Sequence, residues 1–121
     1  MIFKLDAESQ ALASAYLAAL KSGPGYLFGL VRDAFSVGLL SANVDAELRH
    51  ELARDDLVLS GEDVELTLIP RAPNDHEPRA VRIADALARD VGLPLEVVYL
   101  AAVRVGLRRL VPPHLVPGKA P

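Results

Sequence analysis

Residues 95–110, LEVVYLAAVRVGLRRL, decide the fold of this chain. Apolar residues recur on almost every side of the helix that this stretch predicts, and charged residues are few. A helix that is apolar all round is normally buried on more than one side. We therefore expect this helix to lie at the centre of an intrachain four-helix core or in a dimer interface. The expected contact residues are Leu95, Val98, Tyr99, Ala102 and Val103.

The residues before this helix predict a mainly α-helical fold class with a small antiparallel β-ribbon. Residues 2–5 and 64–69 have the length and alternation of strands, and another short strand is predicted at 57–59. The remaining apolar periodicity predicts helices with approximate limits 7–21, 26–40, 44–54 and 75–91. Asp6 and Asn43 are expected to cap two of them with their side chains. The helix at 44–54 has only a narrow apolar stripe and is expected to be mostly exposed.

The composition is that of one globular domain, expected over residues 1–111 and followed by a proline-rich flexible tail at 112–121. The chain has 121 residues, 51% of them hydrophobic, and no cysteine, which excludes disulfides, thiol catalysis and thiolate metal sites. Its longest apolar run, 97–103, is far shorter than the roughly 20 residues that a membrane helix needs. The N-terminus lacks the pattern of a signal peptide. We expect a soluble, cytoplasmic protein.

Two parts of the sequence repeat the same order of elements. Residues 1–42 and 64–111 both predict a strand, a helix, a glycine break and an apolar helix. The second helix of each part contains the triplet Val-Gly-Leu, at 37–39 and 105–107, and an alanine stands four residues before each glycine. The identities are few, so internal duplication and chance similarity both stay open.

The order strand, helix, glycine, helix resembles the ribbon-helix-helix family of DNA-binding proteins. The resemblance is carried by residues 84–92, ADALARDVG, as the first helix and turn, and by 95–110 as the second helix. It implies a shared four-helix core, formed by a homodimer or by an intrachain pseudo-dimer. It also implies a ribbon that pairs 2–5 with 64–69 and enters the major groove, with an extra helix and a hairpin between the two halves.

This resemblance and the distribution of arginines predict duplex DNA as a partner. Lys4 and Thr67 of the ribbon match groups on base edges, whereas Glu65 would be repelled by phosphate. Four arginines at the end of the second strand and along the next helix are placed to hold phosphates: Arg71, Arg79, Arg82 and Arg89. Asp85 and Asp90 interrupt this row, which favours a solvated, salt-bridged face.

Two alternatives stay open beside the ribbon. A helix-turn-helix centred on Gly92 is a second DNA-binding interpretation, although its recognition helix would expose mostly apolar residues. A non-catalytic protein-interaction module, such as an adaptor or inhibitor, is the alternative function. It would use the acidic helix 45–51 and the neighbouring hairpin, and the net charge of −3 favours it over a nucleic-acid binder.

No set of residues predicts an enzyme, a cofactor or a metal site. His50 lies in a charged helix, His76 in a capping sequence and His114 in the tail, and none has a second ligand at metal-site spacing. The acid pairs at 55–56 and 62–63 flank a predicted turn, where solvation leaves them no catalytic role. We therefore expect a small, non-enzymatic DNA-binding regulator, with the protein-interaction module as the alternative.

Overall fold

The computed structural model describes residues 2–21, 26–53, 62–65, 76–112 and 114. Within these ranges the chain forms five α-helices and two short strands. In chain order they are β1 (Ile2–Leu5), α1 (Ala7–Ala19), α2 (Leu27–Leu40), α3 (Val44–Leu52), β2 (Glu62–Glu65), α4 (His76–Val91) and α5 (Leu95–Leu110). None of these helices is both long enough and apolar enough to cross a membrane.

Helix α5 lies at the centre of the fold. Its ten residues from Val98 to Leu107 are all buried, and β1 and the other four helices each pack against it. Of the five contact residues predicted for this helix, Leu95 is half-buried and the other four are buried within the single chain. The ring of Tyr99 packs against that of Phe35 in α2, with the ring centroids 4.6 Å apart. The chain's own elements therefore cover the apolar surface of α5.

The closest approach in the fold is the crossing of α2 and α5, where two glycines bring the helix backbones together. A Cβ atom added to Gly38 would lie 1.9 Å from the carbonyl oxygen of Ala102. One added to Gly106 would lie 1.8 Å from the carbonyl oxygen of Ala34. No side chain fits at either glycine, and the absence of side chains allows close dispersion contact between the two backbones.

The crossing is reciprocal. Each helix contributes an alanine and, about one turn later, a glycine, and the glycine of each helix contacts the alanine of the other. The outer helices have equivalent contacts. Helix α1 packs on both α2 and α5, and helix α4 also packs on both. Exchange of α2 with α5 and of α1 with α4 therefore preserves these helix contacts.

The predicted fold class is wrong in its β-ribbon. Helix makes up 84% of the residues whose side chains the structure describes, and no strand falls among those residues. β1 and β2 pair antiparallel through their backbones over four residues each, from Ile2 opposite Glu65 to Leu5 opposite Glu62. A pair this short is not stable as a separate layer. The fold is helical, and its stability rests on helix packing.

Three further expectations are corrected. β2 begins at Glu62 rather than at Val64, so its first two residues precede the apolar alternation that predicted it, and residues 66–69 lie outside the described residues. Neither Asp6 nor Asn43 makes a side-chain capping hydrogen bond. The Asp6 carboxylate lies 3.7 Å from the Arg104 guanidinium, and Asn43 adopts the left-handed conformation with a φ of 61°. The predicted strand at 57–59 and most of the tail at 112–121 lie outside the described residues.

Replacement of Gly38 or Gly106 by alanine should destabilise the protein by about 3 kcal/mol, because the added methyl group meets backbone rather than a flexible side chain. Gly29 is the matched control, since it also lies in α2 and a Cβ atom there meets nothing within 4 Å. Gly29→Ala should stabilise the helix by about 0.5–1 kcal/mol. Urea unfolding measures all three effects. Similar changes in stability at the three positions would contradict the close crossing.

Candidate nucleic-acid interface

The strand pair, which was expected to enter the major groove, carries the wrong charge for that role. Lys4 of β1 lies opposite Asp63 of β2 in the antiparallel register. The sequence of β2 is Glu-Asp-Val-Glu, so three of its four residues are acidic. Thr67 and Arg71, the other residues predicted at this end of the ribbon, lie outside the described residues. The paired strands therefore supply three acidic residues and a single lysine, a composition that does not favour phosphate binding.

Helix α4 carries three of the predicted DNA-binding residues on its surface. Arg79, Arg82 and Arg89 are all exposed. Arg82 and Arg89 are seven residues apart and lie on the same face of the helix, with the exposed Ala86 between them. None of the three arginines forms an ion pair within the described part of the chain. We call these three residues the α4 arginine face.

Asp85 and Asp90, the two acidic residues of α4 whose side chains the structure describes, do not pair with the α4 arginine face. Asp90 pairs instead with Arg49 of α3, at 2.7 Å between its Oδ2 and the arginine Nη1. The hydrogen bonds of Arg49 to Asp90 and Asp45 raise the pKa of this arginine, which stays charged. Asp85 is half-buried. The burial of Tyr99 raises the pKa of its hydroxyl, and the negative charge of Asp85 raises it further. Among the described residues, the salt bridge of this face therefore joins Asp90 to Arg49, and none joins an acid to the three arginines.

Each acidic residue of α3 forms an ion pair with an arginine. Asp45 pairs with Arg49 at 3.1 Å, one turn along the same helix. Glu47 accepts hydrogen bonds from the guanidinium of Arg109 in α5, the shorter of them at 2.8 Å. Glu51, the third acid of α3, is used in a buried cluster. Each carboxylate of this helix is therefore paired with an arginine of the same chain, although Asp45 and Asp90 share the single charge of Arg49.

Glu51 belongs to a buried ion cluster, which consists of Asp6, Glu8, Glu51, Arg104 and Arg108. Glu51 is 1% exposed and Arg104 is 3% exposed. Arg108 Nη1 donates to Glu51 Oε2 at 2.6 Å. Arg104 Nε lies 2.9 Å from Glu51 Oε1, but its N–H is not aligned for a hydrogen bond, so this is a charge contact. Glu8 accepts hydrogen bonds from both arginines, at 2.9 and 3.2 Å.

The buried ion cluster joins α5 to α3 and to the start of α1. Removal of a guanidinium from water is costly, and the surrounding carboxylates offset that cost. Burial lowers the pKa of Arg108, but the hydrogen bonds to Glu51 and Glu8 outweigh burial, so its pKa is raised. The cluster therefore has a structural role, and neither of its arginines is free to bind phosphate.

The buried ion cluster was not predicted, because the narrow apolar stripe of α3 indicated a mostly exposed helix at Glu51. One residue of the sequence did indicate such a cluster. Arg104 lies inside the apolar helix 95–110, which was expected to be buried on several sides. A buried charge requires a partner, so the position predicts a carboxylate nearby. Sequence spacing cannot identify that carboxylate, because Glu8 and Glu51 lie far from Arg104 along the chain.

An open groove of about 410 Å³ lies between α3 and α4. Its lining residues are Asp45, Arg49, Ile83, Ala86, Leu87 and Asp90. Both carboxylates are paired with Arg49, so they are not free to bind a ligand. Among the described residues, no group of three or more histidine, aspartate or glutamate side chains is placed to hold a metal ion.

No protein-family model, curated protein or solved structure matches this chain. The similarity to ribbon-helix-helix proteins therefore rests on the sequence pattern alone. Function has to be inferred from the distribution of charge over the helices.

Glu51→Gln should destabilise the protein by about 3 kcal/mol, because it leaves the buried Arg104 guanidinium without its nearest buried carboxylate. Glu47→Gln is the matched control, since its pair with Arg109 lies at the surface of the same helix. The control should lose less than about 1 kcal/mol. Thermal unfolding of both variants at neutral pH measures the difference. Equal losses would show that burial does not distinguish the two pairs.

Proposed function

We propose that this protein is a small, non-enzymatic DNA-binding regulator that holds the phosphates of duplex DNA through the α4 arginine face. The pairing of charges is the observation that supports this most directly. The three arginines of this face are exposed and have no ion pair in the described part of the chain, whereas carboxylates hold the arginines of α3 and α5. A guanidinium without an internal partner can donate two parallel hydrogen bonds to a phosphate.

The spacing of the face suits contact with a DNA backbone. Arg82 and Arg89 are separated by seven residues, which is about 10 Å along a helix axis. Three base-pair steps rise a similar distance along the duplex axis, because each step rises about 3.4 Å. A helix that lies parallel to the duplex axis can therefore bring both guanidinium groups to phosphates of one duplex.

The net charge of −3 opposes this binding but does not prevent it. Salt screens exposed charges beyond about 8 Å at physiological ionic strength, so the nearest arginines dominate over distant acids. Contacts to phosphate carry no sequence information. We therefore expect weak, salt-sensitive binding to mixed-sequence DNA, with a Kd of about 10⁻⁴ to 10⁻⁶ M at physiological salt.

The helix packing gives the proposal a second support. The resemblance to ribbon-helix-helix proteins implies a four-helix core shared by two halves. A reciprocal crossing of α2 and α5, with α1 and α4 each packed on both, is an arrangement of that kind. The acidic strand pair does not support a major-groove role, so the proposal assigns DNA contact to α4 and not to the strands.

The protein-interaction module has less support than DNA binding. Its acidic helix was expected to attract a basic partner, and such attraction requires unpaired carboxylates. Asp45, Glu47 and Glu51 are each paired with at least one arginine of the same chain. The distribution of free charge therefore favours a partner that is itself negatively charged.

Replacement of Arg82 and Arg89 by glutamine should weaken binding to a mixed-sequence duplex and should lower the salt slope of the affinity by about 2, because two phosphate contacts are lost. Fluorescence anisotropy from low to physiological salt measures both quantities. Each side chain is exposed, so the fold should be unaffected.

The matched control is Arg49→Gln with Arg109→Gln, which makes the same change in net charge at exposed arginines that are already paired. The control should bind DNA with the same dependence of affinity on salt concentration as the unmodified protein. Two results would contradict the proposal: an unchanged slope in the Arg82/Arg89 variant, or an equal fall in the control.

A further inference from the structure

The two outer helices of the fold are structural counterparts. Helices α1 and α4 each precede one of the crossing helices, and each packs on both of them. Each helix contains a pair of buried residues four positions apart, Ser9 and Ala13 in α1 and Ala80 and Ala84 in α4. Superposition of these two pairs relates each position on one helix to a position on the other.

The equivalent exposed positions differ in chemistry. Ala11 and Ala18 of α1, both exposed, take the places of Arg82 and Arg89 in α4. Glu8 takes the place of the remaining arginine of the α4 arginine face. It is the only charged residue of α1, and it belongs to the buried ion cluster. The surface of α1 therefore offers no cation to a phosphate, and its single charge has the opposite sign.

We propose that one chain binds duplex DNA asymmetrically, with α4 against the phosphate backbone and α1 away from it. In a dimer of identical subunits, two-fold symmetry repeats every binding residue on both sides. In a single chain with two similar but non-identical halves, a binding residue of one half need not be repeated in the other. The preferred DNA target then needs no two-fold symmetry, and one chain occupies one run of phosphates. This inference rests on the proposed function.

The absence of cysteine makes a direct test practical, because each engineered cysteine is then the only thiol in the chain. Ala86→Cys places a thiol on α4 between Arg82 and Arg89, and Ala15→Cys places one at the equivalent position of α1. Each thiol is coupled to a benzophenone photocrosslinker. The labelled full-length chains are then irradiated with a mixed-sequence duplex at low salt, and anisotropy of the same samples records binding.

The expected result is a several-fold higher yield of protein–DNA crosslink from position 86 than from position 15. Loss of binding after labelling at position 86 alone gives the same support. Equal yields, a higher yield from α1, or bound complexes without crosslinks from either position would overturn the asymmetry and leave DNA binding intact. No binding by the unlabelled protein would overturn the proposed function itself. Asp85→Cys and Ser14→Cys form a second matched pair if either alanine variant fails to fold.

Discussion

The backbone contact between α2 and α5 is the constraint on which the rest of the structure depends. Each glycine in the middle of a helix costs about 1 kcal/mol relative to alanine, and α2 and α5 each contain one where a Cβ atom would collide with the other helix. The close packing that these glycines permit must offset that cost. It also makes α5 the most enclosed element of the fold, since every residue from Val98 to Leu107 is buried.

The burial of α5 in turn determines how the charges of the chain are distributed. Arg104 is buried, so a carboxylate must accompany it into the interior, and Glu51 supplies it, while Glu8 pairs with Arg104 from the surface. Arg109 and Arg49 hold the other two acids of α3 at the surface. This internal pairing gives each acid of α3 an arginine partner, whereas the exposed arginines of α4 form no ion pair within the described structure. The packing of the core thus explains why arginines of α3 and α5 are paired within the chain, while three arginines of α4 lie exposed.

The sequence predicted the features that depend on apolar periodicity. The enclosure of α5 followed from residues 95–110, and the limits of α2 and α5 fell within one residue of their predicted positions. It did not predict interactions between residues that are distant in sequence. Glu51 could not be assigned to Arg104, and Asp6 was expected to cap α1 because spacing does not reveal a competing guanidinium nearby. The acidic strand β2 was missed because the apolar alternation begins two residues after its first residue.

The central claim of this account is the reciprocal contact between α2 and α5, and a nuclear Overhauser spectrum of the isotope-labelled protein tests it most directly. The account predicts two cross-peaks between residues far apart in sequence, from the α protons of Gly38 to Ala102 and from those of Gly106 to Ala34. Both should be present at similar strength, because the two contacts are equally close. Absence of either cross-peak in a folded sample would contradict the reciprocal crossing, and with it the equivalence of α1 and α4.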